Sequence, residues 1–333
     1  MTNPMTATAG PMMRAVVQDR YGSSEVLRVA QIARPGVTEH EVLVRVRAAG
    51  LDRGTEHLMT GKPYLMRFGF GVRRPKNPVS GRDVAGTVAA VGSAVTRFAV
   101  GDEVYGIAPG SFAEYAVGRE DKLARKPVDL SFAQAAVVPI SGGTALQALL
   151  DVGKVEAGQT VLVLGASGGV GSYAVQLAKA FGAEVTGACS TAKLDLVASF
   201  GADHVLDYTR DDFADGTRRF DLILDIGGNP SLRRLRRALQ PSGTVVFVGG
   251  ENAGGLTGMG RQLRGALLSP FVRQRLALFM AKERASDLER LAELIETGRV
   301  VPSLDRSYAL DEAPAAMRQL ETGKVRGKVA ITV

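Results

Sequence analysis

Read for its apolar positions, the chain changes rhythm once. From residue 13 to about 128, short segments alternate β-branched apolar residues with polar ones and end near Gly or Pro: MRAVVQDRYG, LRVAQIARPG, EVLVRVRAAG, DVAGTVAAVG, DEVYGIAPG and FAEYAVG. Period-two alternation broken by turn residues predicts strands, and strands at this spacing predict a small barrel or sandwich. A polar, less regular stretch, LDRGTEHLMTGKPYLMRFGFGVRRPKNPVSG (51–81), interrupts them and is expected to be a functional loop.

Near Ser131 the pattern shifts. SFAQAAVVPISGGTALQALLDVG is expected to be helical, capped by Ser131 and broken at Pro139. Strands are then predicted at 160–165, 184–189, 204–207, 220–226 and 243–249, with helices at 169–181, 192–200, 230–239 and 285–297. That alternation predicts a doubly wound parallel sheet. The amphipathic, basic segment from Met259 to Lys282 is expected to pack over the active site or at a subunit contact, with a membrane-surface role as the alternative. The closing stretch, VPSLDRSYAL to GKVAITV, returns to strand character and is expected to rejoin the first domain.

Composition narrows the classes. A chain of 333 residues has room for two domains. No apolar run approaches the roughly 18 residues of a membrane span, and the first residues, MTNPMTATAGPMM, suggest a disordered tail rather than a signal peptide. A single cysteine, Cys189, precludes an internal disulfide or a multi-cysteine zinc site and is expected to be buried filler. The net charge of +7 is spread among acids. Its densest cluster, RRLRR (233–237), suits a solvated helix face better than nucleic acid. The expectation is a cytoplasmic enzyme with neither nucleic acid nor membrane as partner.

The chemistry concentrates in VLVLGASGGVGSYAVQLAKAFGAEVTGACS (161–190). A strand ends, glycines follow, and a helix begins. Bare amides and the helix dipole there suit a pyrophosphate. The spacing is Gly165-x-x-Gly168-x-x-Gly171 with Gly169 added, one residue longer than G-x-G-x-x-G. A site for an unphosphorylated ribose usually has an acid about 20 residues on. Here the second strand ends in Ser190, Thr191 and Lys193, which suit a 2′-phosphate and point to NADPH.

With GRDVAGTVAAVG, GDEVYG, LVASFGADHVLDY, FDLILDIGG and GKVAITV in order, the chain resembles the medium-chain dehydrogenase/reductase superfamily, and most of all its zinc-independent quinone oxidoreductase branch, over residues 13–333. The resemblance implies a GroES-like β-barrel catalytic domain (13–130, completed by 302–333) beside an NADP-binding Rossmann domain (131–301). It places Gly168, Gly169 and Val170 on the pyrophosphate, Ser190 and Lys193 on the 2′-phosphate, and Tyr208 near the adenosine. Thr144, Gly227, Gly249 and Gly250 would lie near the nicotinamide, with Lys328 returning towards the cofactor. Relatives commonly dimerise through an edge strand, here expected to be GTVVFVGG. Zinc-dependent members carry a Cys after the AAG turn and a His-Glu pair in a later motif; this chain has Asp52 there, and Arg82 with Asp83. Many quinone oxidoreductases have Asn-Pro where Asp52-Arg53 stands.

Without that metal set, the accessible chemistry is hydride transfer to an activated acceptor, a quinone or an α,β-unsaturated carbonyl, with a proton delivered to the developing oxyanion. Tyr64 is the first candidate donor because a phenol donates without being charged; His57 and, through water, Asp52 are the others. Two alternatives remain open on the residues alone: a metal-free alcohol dehydrogenase or ketone reductase, and an NADPH-binding sensor or structural protein without turnover.

Overall fold

The computed structural model describes residues 11–249 and 258–333. The N-terminal tail and Gly250 lie outside them. The first domain opens with a hairpin of β1 (Met12–Val17) and β2 (Arg28–Ala33). The strands β3 (Glu41–Leu51), β4 (Asp83–Val91), β5 (Glu103–Ile107), β6 (Tyr115–Arg119) and β7 (Leu123–Arg125) then build the antiparallel body of a seven-stranded sheet. Between β3 and β4 the expected loop contains α1 (Arg53–Thr60) and the single turn α2 (Arg67–Phe70). Asp52 starts α1 as its N-cap, accepting from the Thr55 amide at 2.7 Å, and Gly61 ends it in the left-handed region. The sequence reading missed this helix because its polar face hides the pattern.

The second domain begins with α3 (Phe132–Ala136), where Ser131 and Gln134 form a capping box, and α4 (Pro139–Gln147). Then follow β8 (Thr160–Leu164), α5 (Gly169–Ala180), β9 (Glu184–Cys189), α6 (Leu194–Ser199), β10 (His204–Asp207), β11 (Phe220–Asp225), α7 (Leu232–Ala238), β12 (Leu239–Phe247), α8 (Gly260–Leu268), β13 (Arg275–Leu278) and α9 (Ala285–Glu296). The sheet is parallel, in the order β10-β9-β8-β11-β12-β13. The order reverses between β8 and β11, and such a switch point opens a crevice at the strands' carboxyl ends. Two expectations are corrected. The basic 259–282 segment contributes a sixth strand, RLAL, too short to outweigh its amphipathic flanks. The expected edge strand, β12, therefore lies inside the sheet, and β13 is the edge.

The chain returns through β14 (Leu304–Ala309), α10 (Ala313–Glu321) and β15 (Lys328–Thr332), and β15 pairs antiparallel with β3. The tail thus adds β14 and β15 to the first domain's sheet. One apolar core spans both domains: Ala48, Ala85 and Tyr105 pack with Ala136, Leu146, Tyr173 and Leu291. The Tyr105 hydroxyl donates to the Leu288 carbonyl at 2.6 Å, and Glu283 accepts from both Arg82 and Lys122. These contacts fix the barrel against the nucleotide domain, with the switch point facing the start of β15.

Candidate functional site

The glycines after β8 do different jobs. Gly165 turns the chain with φ +83°, and a side chain there would meet Gly227 Cα at 2.9 Å. A Cβ at Gly171 would lie 2.1 Å from the Gly165 carbonyl oxygen, so this glycine lets α5 pack on the strand end. Gly168 differs. It is the N-cap of α5 and has no side-chain cap; a Cβ there would meet only the Gly165 carbonyl oxygen, at 3.5 Å. Gly168 therefore opens the helix N-terminus onto free space, with Gly169 and Val170 in the first turn behind it. First-turn amides have no partner within a helix, and with the dipole they fit a diphosphate.

Lys328 crosses this loop from the other domain. A Cβ on Gly169 would lie 2.8 Å from Lys328 Cδ and 3.1 Å from Ser141 Oγ. The Lys328 Nζ ends 3.4 Å from Asp83 Oδ2 and 3.9 Å from Asp52 Oδ2, and all three residues are buried. Gly50 makes room, since its Cβ would lie 2.8 Å from Asp83 Oδ2. The other Asp83 oxygen accepts from the Ile140 amide at 2.9 Å. Burial pushes Asp83 up to about 7, with Lys328 opposing and Asp52 adding to the rise. Asp52 Oδ2 has no hydrogen-bond partner among the described residues. Two carboxylates around one ammonium carry a spare negative charge, and a proton near neutrality removes it.

Asp52 links this floor to the rim. His57 lies half-buried on α1 rather than in a loop. Tyr64 is 47% exposed, with the Arg67 guanidinium 4.7 Å from its ring. Thus Asp52 belongs to the floor, whereas Tyr64 and His57 belong to the segment that follows it.

At the carboxyl end of β9, Ser190 is followed by Lys193, whose ammonium is already engaged. Its Nζ donates to the carbonyls of Gly323 and Val325 at 2.9 and 2.7 Å. A second cation joins it: Arg326 donates to the Ala192 carbonyl and to Asp195, both at 2.8 Å. The carboxylate at this end of the sheet comes from outside β9. The neighbouring β10 supplies Asp207, whose oxygens accept from Thr191 Oγ1 at 2.5 Å and Thr209 Oγ1 at 2.7 Å. These hydroxyl bonds, that from Thr191 foremost, hold its carboxyl below the usual range. Tyr208, beside it, is 61% exposed.

Across the switch point, the Gly227 amide donates to the Leu164 carbonyl and the Gly249 amide to the Asp225 carbonyl, each at 3.0 Å. Thr144 lies half-buried on α4. Asp225, at the end of β11, pairs with Arg261 of α8 at 2.5 Å. Asp225 Oδ1, Arg261 Nε and Nη2, and Gln262 Oε1 are buried without hydrogen-bond partners among the described residues. Neither acid–base cluster was legible as a site: Asp83 opens a strand and Arg261 lies in a basic helix, so only the fold brings each to its partner.

A Rossmann sheet with an open glycine loop, capped by a barrel that places a lysine on that loop, defines a dinucleotide-dependent oxidoreductase. Residues 38–128 match the alcohol dehydrogenase GroES-like domain, and residues 200–331 match the zinc-binding dehydrogenase family. The 2-methylene-furan-3-one reductase of Solanum lycopersicum is 35% identical over 96% of this chain and 79% of its own. The NADPH-dependent alkenal/one oxidoreductase of Arabidopsis thaliana is 34% identical over the same shares, 96% and 79%. The quinone oxidoreductase of Coxiella burnetii superposes with a TM-score of 0.85, at 28% identity over 97% of this chain and 100% of that one. The chain belongs to the medium-chain dehydrogenase/reductase superfamily, among its quinone and enone oxidoreductases. The zinc that one family description implies does not fit these residues. An ammonium stands between Asp52 and Asp83, Cys189 is buried at the end of β9, and His40 and His204 face Glu120 and Glu184.

Proposed function

We propose that the enzyme transfers hydride from NADPH to a quinone or an α,β-unsaturated carbonyl without zinc. Bound NADPH supplies the hydride. The chain's share is to seat the diphosphate on the amides after Gly168, hold the acceptor in the cleft and deliver a proton to its developing oxyanion. Tyr64 is the donor we favour, with His57 and Asp52 on the same connection. The buried Asp83–Lys328–Asp52 cluster lies beneath as a proton reserve. The names of the relatives support this acceptor class. One observation carries the reading: the uncapped helix at Gly168 stands where buried Lys328 packs against Gly169.

NADPH rather than NADH is inferred from Ser190, Lys193 and Arg326 at the end of β9, while the Asp207 carboxyl is engaged by two threonines. A homodimer is proposed through the β13 edge, beside which Leu267 and Phe271 are 74% and 84% exposed.

The test is NADPH and NADH consumption over a panel of quinones, enones and ketones, with simple alcohols run in the reverse direction. Enone or quinone reduction that prefers NADPH supports the reading. Turnover of simple alcohols alone, or none with any acceptor, would overturn it. Tyr64→Phe should lower turnover more than NADPH affinity. Lys193→Ala should weaken NADPH selectively, and equal loss of both coenzymes would refute its phosphate role.

A further inference from the structure

Apart from Tyr64, whose phenol the proposed reaction uses, the connection between β3 and β4 exposes apolar side chains that the proposed chemistry leaves idle. Tyr64 and Leu65 are 47% and 48% exposed, Phe68 75%, Phe70 46% and Val72 60%. Neighbouring exposed aromatic and aliphatic residues of this number mark an interaction site. The run is held outward by its own framework. Arg67 Nε donates to the Gly61 carbonyl at 2.9 Å, and its guanidinium stacks on Tyr21 and Tyr64 at 4.4 and 4.7 Å. The Tyr21 hydroxyl donates to the Gly71 carbonyl at 2.5 Å, and the Lys76 amide to the Phe70 carbonyl at 2.8 Å.

The charges around the run are of one sign. Lys62, Arg67, Arg73, Arg74 and Lys76 lie within 62–76, and no acidic residue occurs between Glu56 and Asp83. Lys62, Arg73, Arg74 and Lys76 are exposed. Apolar side chains flanked by cations are the arrangement that enters the headgroup layer of an anionic bilayer: rings and aliphatic groups sink in, and cations meet the lipid phosphates. A second copy of this chain is a poor occupant, because a two-fold contact sets this cationic surface against itself. Among the described residues no helix is long and apolar enough to cross a membrane, so attachment would be at the surface.

We propose that the 62–76 segment docks the enzyme on anionic lipid bilayers, with Phe68 and Val72 inserted and Arg73, Arg74 and Lys76 at the phosphates. This revises the expectation of no membrane partner and requires no particular acceptor.

The experiment is co-sedimentation of the full chain with vesicles of phosphatidylcholine, with and without phosphatidylglycerol. Binding to the anionic vesicles only, reversed by salt, is expected. Arg73→Glu with Arg74→Glu should lower vesicle affinity more than about tenfold, and Phe68→Ser should lower it at unchanged salt dependence. Unaltered circular dichroism and thermal midpoint show that the variants are folded. No binding to anionic vesicles, or equal binding by all variants, would overturn the proposal. So would tighter binding to single-stranded oligonucleotide than to vesicles, or self-association that Phe68→Ser abolishes.

Discussion

The ammonium of Lys328 lies 3.4 Å from the Asp83 carboxylate, and the two residues are 2% and 0% exposed. They are 245 residues apart in sequence, and the pairing of β15 with β3, and of β3 with β4, is what joins them. A pair taken this far from water is expensive to form and costly to break. With Asp52 alongside, it also has one acid too many, so the cluster holds or releases a proton under ordinary conditions.

That proton makes stability depend on pH. Folded Asp83 keeps its proton up to about 7, whereas an unfolded aspartate loses it near 4. Between these values the folded state binds more protons. This contribution is complete below about pH 4 and is lost as pH rises towards 7, by up to about 1.4 kcal/mol per unit. Asp225, raised to about 6 by burial against the pull of Arg261, adds a slope of the same sign that ends sooner. Asp83→Asn should therefore flatten the stability curve between about pH 6 and 7. Urea unfolding midpoints across that window are the check, and an unchanged slope would show that Asp83 does not titrate there.

The glycine loop should separate binding from folding. Gly168→Ala adds a methyl to open space and should change stability by less than about 1 kcal/mol. The same methyl narrows the approach to the amides, so NADPH should bind about tenfold or more weakly. Gly171→Ala drives a Cβ to 2.1 Å from a backbone oxygen, and should cost about 1–3 kcal/mol of stability before cofactor is considered. Coenzyme fluorescence titration beside thermal unfolding would tell the two apart. Equal loss of affinity and stability in Gly168→Ala would remove it from the phosphate site.

Local signals carried much of the architecture. The period change near Ser131, the Gly165–Gly171 loop and the strand character of GKVAITV each report a nearest-neighbour constraint, and each appears in the fold. What stayed hidden depends on pairing across the chain. RLAL at 275–278 is four residues long and becomes a strand by pairing with β12. Lys193 carries no mark in sequence that the 323–325 carbonyls will hold it, nor does Asp207 that it will face Thr191 from a neighbouring strand. Asp83 read as a replaced metal ligand; that it shares a buried site with Lys328 follows only from the closing strand.

The second buried pair offers a test that uses charge and pH together. Asp225 is 1% exposed, and Arg261 reaches it with one nitrogen while also donating to the Pro230 carbonyl at 3.2 Å and lying 5.4 Å from the Phe247 ring. Arg261→Met keeps much of the apolar volume over Phe247 but leaves a buried carboxylate without its cation. Breaking a buried pair on one side costs about 3–5 kcal/mol. Because Arg261 holds the Asp225 carboxyl down, its removal raises that group further and extends the pH range over which folded Asp225 stays protonated. The deficit should therefore be smaller at pH 5, where Asp225 is neutral, than at pH 8. Adding Asp225→Asn to Arg261→Met removes the charge that was stranded and should recover most of the loss at pH 8. Urea unfolding of the parent, both single variants and the double variant at the two pH values completes the cycle. A deficit independent of pH, or a double variant no more stable than Arg261→Met, would show that Arg261 acts through packing on Phe247 and not through Asp225.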